Sequence, residues 1–318
     1  MTPTDSRPVY LDCNATTPIE PRVRDVVLHY MQEEYGNAGS RTHVYGSAAK
    51  KAVQKARRQV ASVVQCEPEE VIFTSGATES NNLAILGLAR HGEETGKKHI
   101  VSTQIEHKAV LEPLKHLSER GFEVDLVPPN SGGWVEPEEI RKTLKPDTLL
   151  VSVMHVNNET GVVQPIDDIA EILDGHDAYF HTDAAQGFGK HFPFLQNPRV
   201  ELISASAHKI YGPMGVGALV ARRRGYKTPP IHSLVFGGGQ ERGLRSGTVP
   251  VPLVAGLGKA SSLSAEEHEQ RDNACRSFKG HMINALEDLE LQIHGDQERA
   301  LPHVVNISFP RLDGEAVM

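Results

Sequence analysis

The 318-residue sequence is poor in sulfur and in aromatic rings, with three cysteines, one tryptophan and 5% Phe, Trp and Tyr together. Cys13, Cys66 and Cys275 lie far apart and show none of the paired spacing of a zinc site. So few thiols also exclude a disulfide framework and point to a reducing, cytoplasmic setting. No HExxH or CxxC accompanies the sixteen histidines, so no metal site is expected. Basic charge is not in excess either. The net charge of −8 argues against direct nucleic-acid binding, whose footprint is basic. No apolar run is long enough to span a bilayer. Met1–Tyr10 lacks the charged-then-apolar layout of a secretory signal. Internal repeats and low-complexity segments are missing as well.

What is present is ordinary globular composition, 39% hydrophobic and 23% charged, in a chain long enough for one large domain and part of a second. Apolar spacing predicts helices over 21–34 and 46–65. Short apolar runs then alternate with helical patterns. Strands are expected at 71–73, 100–101, 122–127, 149–153, 178–181 and 200–204. Between them fall helices near 78–89, 108–120, 137–144 and 166–173. That rhythm indicates an α/β fold with a mostly parallel sheet covered by helices on both faces. Val9–Leu11, Ala218–Ala221 and Leu234–Phe236 are further expected strands, the last two with no intervening helix, as on an antiparallel edge. One long helical region covers 252–289, and 304–309 alternates as a half-buried strand.

The chemistry gathers where strands end, the edge at which open α/β sheets bind ligands. The stretch Val200–Gly217 carries Lys209 between a buried strand and a tight Gly/Pro turn. Desolvation there would lower its pKa, as Schiff-base chemistry requires, although a surface lysine at a strand end reads the same way. After Phe73 comes Thr74–Ser75–Gly76–Ala77–Thr78–Glu79–Ser80. Small residues opening a helix can cradle a phosphate. Taken alone, the segment is better explained by capping from Ser75 or Thr78. His107 follows another strand, and a lone histidine there is usually structural. Asn157–Asn158 suits a turn. Asp183, directly after a buried strand, needs a cation or serves as a cap; Gln186 follows it. Together these strand ends offer an anion cradle, a flat imidazole, an amide, a carboxylate and a lysine. Pyridoxal 5'-phosphate presents a phosphate, a ring, a phenolic oxygen, a ring nitrogen and an aldehyde, which match them one for one.

The motifs SGATESNN, IEHKAV, HVNNETG, DAAQ, SAHKIYGPMGVG and GGGQERGLRSGT resemble those of cysteine desulfurases, pyridoxal-phosphate enzymes of fold type I and aminotransferase class V. The wording is most similar to the branch that supplies sulfur for DNA phosphorothioation; selenocysteine lyases share most of these motifs. The resemblance implies a large cofactor-binding domain over 16–262, with 1–15 and 263–318 belonging to an incomplete small α/β domain. It implies that Lys209 holds the cofactor as a Schiff base and moves the Cα proton, and that His107 stacks on the ring and assists. Asp183 would pair with the ring nitrogen and Gln186 with the phenolic oxygen. Ala77, Thr78, Ser206 and His208 would hold the phosphate, and Thr248 would reach that of a neighbouring subunit in a homodimer. Asn158 and Asn14 would lie near the substrate, L-cysteine. Sulfur would pass to an enzyme persulfide and then to a sulfur-acceptor protein, leaving alanine.

The resemblance also implies a persulfide-forming cysteine and a carboxylate-gripping arginine on segments C-terminal to the one matching 303–318. Cys13, Cys66 and Cys275 fall elsewhere and are expected to be packing residues. The sequence thus resembles a C-terminally incomplete desulfurase, expected to bind cofactor and turn over little. A non-catalytic scaffold that binds sulfur-transfer partners is the reading from another class.

Overall fold

The computed structural model describes residues 8–314; the calls on Met1–Arg7 and on the last four residues lie outside them. In chain order the elements are α1 (Pro21–Gln32), α2 (Val44–Val64), β1 (Val71–Thr74), α3 (Ala77–Thr95), β2 (His99–Thr103), α4 (Lys108–Ser118), β3 (Glu123–Val127) and α5 (Pro137–Thr143). Then come β4 (Thr148–Ser152), α6 (Ile166–Ile172), β5 (Tyr179–Asp183), β6 (Leu202–Ser206), β7 (Gly217–Ala221), α7 (Val251–Glu266), α8 (His268–Ala285), β8 (Gln292–His294) and β9 (Asn306–Ser308).

Seven strands form one sheet in the order β1-β7-β6-β5-β4-β2-β3. β4, β2 and β3 pair in parallel, as do β4, β5 and β6, whereas β7 runs antiparallel to both β6 and β1. Because β7 opposes both neighbours, β1 points the same way as β6. The carboxyl ends of β1, β2, β4, β5 and β6 therefore share one edge of the sheet. Alternate residues feed two cores. Val71 and Phe73 pack with the α2, α6 and α7 side chains, while Ile72 packs with those of α3 and α4. Burial on both faces is why these strands read as continuous apolar runs.

Five expectations need correction. Ala218–Ala221 is a strand, but it is interior to the sheet, and β1 is the edge. Val9–Leu11 and Leu234–Phe236 are not strands. No sheet edge receives them, and Val9, Leu11 and Phe236 are 82, 85 and 89% exposed. The region 252–289 is two helices, since Glu267 leaves helical geometry at φ −110°, ψ 9°. The run at 304–309 shortens to β9, which pairs with β8 as a separate two-stranded sheet.

One buried ion pair ties the far loop to the sheet. Arg57 on α2 donates to Glu241 through both guanidinium arms, at 2.9 and 2.6 Å. Glu241 also accepts the Phe73 N–H of edge strand β1 at 2.8 Å.

Candidate active site

Strand β6 ends at Ser206, and a single 3-10 turn, Ala207–Lys209, follows. Gly217 lets the chain return at close quarters. A Cβ there would lie 2.4 Å from the Ala205 carbonyl oxygen and 2.6 Å from the Gly76 Cα. This approach sets Lys209 beside the start of α3. The N-cap of α3 is Gly76, and no side chain caps it. The capping explanation by Ser75 or Thr78 therefore fails, and Glu79 instead reaches back to the Ser75 N–H at 2.7 Å. The uncapped N-terminus of a 19-residue helix is a site for an anion.

A cavity of about 580 Å³ lies against this edge. Ala77 and Thr78 of α3 line it, with Ser206, His208 and Lys209 after β6. His107, Asn158, Asp183 and Gln186 complete the set from the ends of β2, β4 and β5. His107 is the N-cap of α4; its Nδ1 accepts the Ala109 N–H at 3.0 Å. Two expected residues stand apart. Asn14 is one residue outside the lining, with its Nδ2 donating to the Asn158 carbonyl at 3.2 Å. Thr248 is exposed and does not reach the cavity of its own chain.

The N-terminal loop, readable in sequence only as a polar turn, closes one wall. Lys209 Nζ donates to the carbonyls of Asn14 and, at 2.9 Å, Ala15. Gln186 Nε2 donates to the same Asn14 carbonyl at 3.0 Å. Thr17 Oγ1 donates to the His208 carbonyl at 2.8 Å and accepts the Tyr211 N–H at 2.8 Å. Burial lowers the Lys209 pKa, against the opposing pull of Asp183 and Asp12. Burial raises that of Asp183, although the Ala185 N–H, Asn81, His107 and Lys209 act the other way. Asp183 Oδ1 accepts the Ala185 N–H at 2.9 Å, closing a turn rather than capping a helix, since no helix starts there. Its Oδ2 accepts from Asn81 at 2.7 Å.

Asn81 was not singled out in the sequence. It sits in SGATESNN one helical turn beyond Ala77, so the 3.6-residue period carried the only signal. Glu106 was also missed. Its Oε1 accepts from Thr103 Oγ1 at 2.9 Å and from the Met154 N–H at 2.7 Å, while Oε2 is buried without a partner. Burial pushes its pKa up to about 8, so it is neutral at pH 7. Its ordinary value is 4.5, so the folded chain binds the extra proton between pH 4.5 and about 8. The Glu106 contribution to stability falls as pH rises through that window. Urea unfolding of Glu106→Gln, an isostere of the neutral acid, is expected to lose that pH slope. Glu106→Ala leaves two donors unpaired, at about 1–3 kcal/mol each.

The class-V aminotransferase family model matches residues 9–318. The chain belongs to this family, whose cysteine desulfurase members use pyridoxal phosphate. It is 46% identical over 314 residues to the cysteine desulfurase of Pongo abelii, covering 98% of this chain and 68% of that one. It therefore spans about two thirds of the length of that relative. Among solved structures, DndA from Streptomyces lividans is 52% identical with a TM-score of 0.90, over 97% of this chain and 87% of the other. SspA in complex with cysteine is 35% identical with a TM-score of 0.84, over 94% and 83%.

The residues fit the family cofactor. Asp183 is a buried carboxyl facing the cavity, suited to a cationic ring nitrogen. Gln186 Oε1 and Asn14 Oδ1 are buried with no hydrogen-bond partner among the described residues. The α3 N-terminus and Ser206 suit the phosphate, and Lys209 suits the aldehyde.

Proposed function

We propose that this chain activates L-cysteine for desulfuration, with Lys209 and His107 moving protons and Asp183 setting the charge of the cofactor ring. The single observation that carries the reading is one cavity bounded by Lys209 Nζ, the Asp183 carboxyl and the uncapped N-terminus of α3. When bound, pyridoxal phosphate supplies an electron sink for the pair left at the substrate Cα. Two backbone carbonyls hold Lys209 Nζ at the cavity, and burial lowers its pKa toward the amine that bonds a carbonyl carbon and accepts a proton. His107 has Nδ1 occupied by the Ala109 N–H, which leaves Nε2 for the cavity. Asn81 fixes one oxygen of Asp183 and the Ala185 N–H fixes the other. Ala77, Thr78, Ser206 and His208 hold the phosphate, and Asn158 and Asn14 border the substrate.

L-cysteine as substrate is supported by the SspA complex, and a role in DNA phosphorothioation by the likeness to DndA. A homodimer is supported by the exposed apolar side chains of Leu234, Val235 and Phe236. On this reading Thr248 serves the neighbouring subunit, and a sulfur-acceptor protein takes the sulfur onward. Residues 16–262 form the cofactor-holding unit, with 1–15 and 263–318 in a second one, in the cytoplasm.

Loss of the Cα hydrogen tests this without needing the later sulfur step. The loaded protein in deuterated water is expected to exchange the Cα hydrogen of L-cysteine far faster than free pyridoxal phosphate. Asp183→Ala is expected to slow that exchange by about 100-fold or more. Exchange no faster than with free cofactor would sink the proposal and favour a scaffold.

A further inference from the structure

A second cavity, of about 70 Å³, lies behind the N-terminal loop. Cys13, Thr17, Lys190, Tyr211, Cys275 and His303 are among its lining residues. Ala15 and Thr16 line the large cavity while Cys13 and Thr17 line the small one, so one loop walls both. Cys13 and Cys275 are both partly exposed and belong to neither main core, unlike Cys66, which packs against the larger one. Burial pushes the Cys66 thiol up to about 12.

Lys190 supplies the charge in this space. Its Nζ lies 3.2 Å from His303 Nε2. Burial pushes His303 down to about 3, so at neutral pH its ring is an uncharged acceptor for the ammonium. Burial lowers Lys190 to about 8, so it is mostly protonated at pH 7. The carboxylates nearby are engaged by arginines: Asp272 by Arg276 at 2.6 Å, and Glu267 by Arg22 at 2.6 Å and Arg271 at 2.8 Å. The groups that favour a charged Lys190 are the thiols of Cys13 and Cys275. Burial and Asp272 raise the Cys275 thiol, while Lys190 pulls the other way. A persulfide is more acidic than its parent thiol and spreads its charge over a large, soft sulfur. A 70 Å³ space exceeds the ~30 Å³ that one water occupies in the liquid, so one added sulfur atom fits.

We propose that Cys13 and Cys275 form a sulfane-sulfur acceptor site served by Lys190, with Cys13 the first acceptor. The donor is a persulfide, the sulfur species that the proposed reaction yields, and to that extent the site rests on that reading. The Cys13 thiolate attacks the outer sulfur of the donor persulfide. The donor S–S bond breaks, a new S–S bond forms on Cys13, and the donor departs as a thiolate. The outer sulfur keeps its proton, and no outside oxidant is consumed. Cys13 is chosen because it directly precedes Asn14, whose carbonyl accepts from Lys209.

Glutathione persulfide, added to the cofactor-loaded protein without L-cysteine, tests the site separately from the desulfurase reading. Alkylation and peptide mass spectrometry after brief exposure are expected to find one extra sulfur on Cys13 and none on Cys66. Cys13→Ser is expected to move the label to Cys275, and Cys13→Ser with Cys275→Ser to abolish it. Lys190→Met is expected to slow labelling at pH 7 about tenfold, because it removes an ammonium that attracts the anionic sulfur of donor and product. Lys190→Gln provides a second variant if the first does not fold. Label on Cys66, equal label on all three cysteines, an unchanged rate in both Lys190 variants, or a Cys13–Cys275 disulfide in place of a persulfide would overturn the proposal.

Discussion

Replacing Lys209 by alanine is expected to abolish Cα hydrogen exchange while leaving the fold intact. On the proposed reading the amine both bonds the cofactor aldehyde and takes the proton, so one substitution removes two functions. Loss of a positioned base alone slows a reaction by about 100- to 10,000-fold. The loss of the covalent tether adds to that. The side chain is held by the Asn14 and Ala15 carbonyls, and Ala15 and Lys209 both line a cavity large enough to admit water. Truncation therefore costs little stability. The variant is expected to show an unchanged far-ultraviolet spectrum and melting temperature. The visible absorbance of lysine-bound cofactor is expected to vanish. Exchange within tenfold of the wild-type rate would remove Lys209 from the mechanism, while a collapsed spectrum would mark the residue as structural.

The largest stability loss is expected at Glu241, outside the cavity. Glu241→Ala strands the Arg57 guanidinium, which is 5% exposed, and unpairs the Phe73 N–H. Breaking a buried ion pair by removing one partner costs about 3–5 kcal/mol. Urea denaturation is expected to show an unfolding free energy lower by that amount, as a lower midpoint with an unchanged slope. Arg57→Met combined with Glu241→Leu removes both charges and is expected to recover part of the loss. A single-variant loss below about 1 kcal/mol, the range of an exposed pair, would show that the pair is solvated in solution. The same loop carries Arg245, which pairs with Glu79 at 2.9 Å beside the anion cradle. Glu241→Ala is therefore also expected to weaken phosphate retention.

The parallel sheet was legible because strands buried on two faces leave unbroken apolar runs between amphipathic helices. The residues at strand ends were legible because small, polar and charged types interrupt those runs at the ligand-binding edge. What stayed hidden was non-local. Asn81 meets Asp183 across 102 positions, and Arg57 meets Glu241 across 184. Neither pair leaves a periodic trace. Val9–Leu11 and Leu234–Phe236 misled because apolar triplets look alike whether a sheet receives them or the surface does. The break at Glu267 was invisible because α8 buries no residue, so no apolar stripe changed phase there. Cys13 and Cys275 looked like filler because the cavity they share with Lys190 exists only in the folded chain.

The placement of β7 between β1 and β6 has a consequence for synthesis. Val71 finds its partner only when Val220 has been made. Until then β1, an apolar strand with both edges open, has nothing to pair with. On a ribosome adding about 5–20 residues per second, that interval lasts on the order of ten seconds. The same arrival of β7 brings Gly217 against Gly76 and completes the cradle. A nascent chain stalled before this strand is expected to depend on chaperones and to show no affinity for the cofactor.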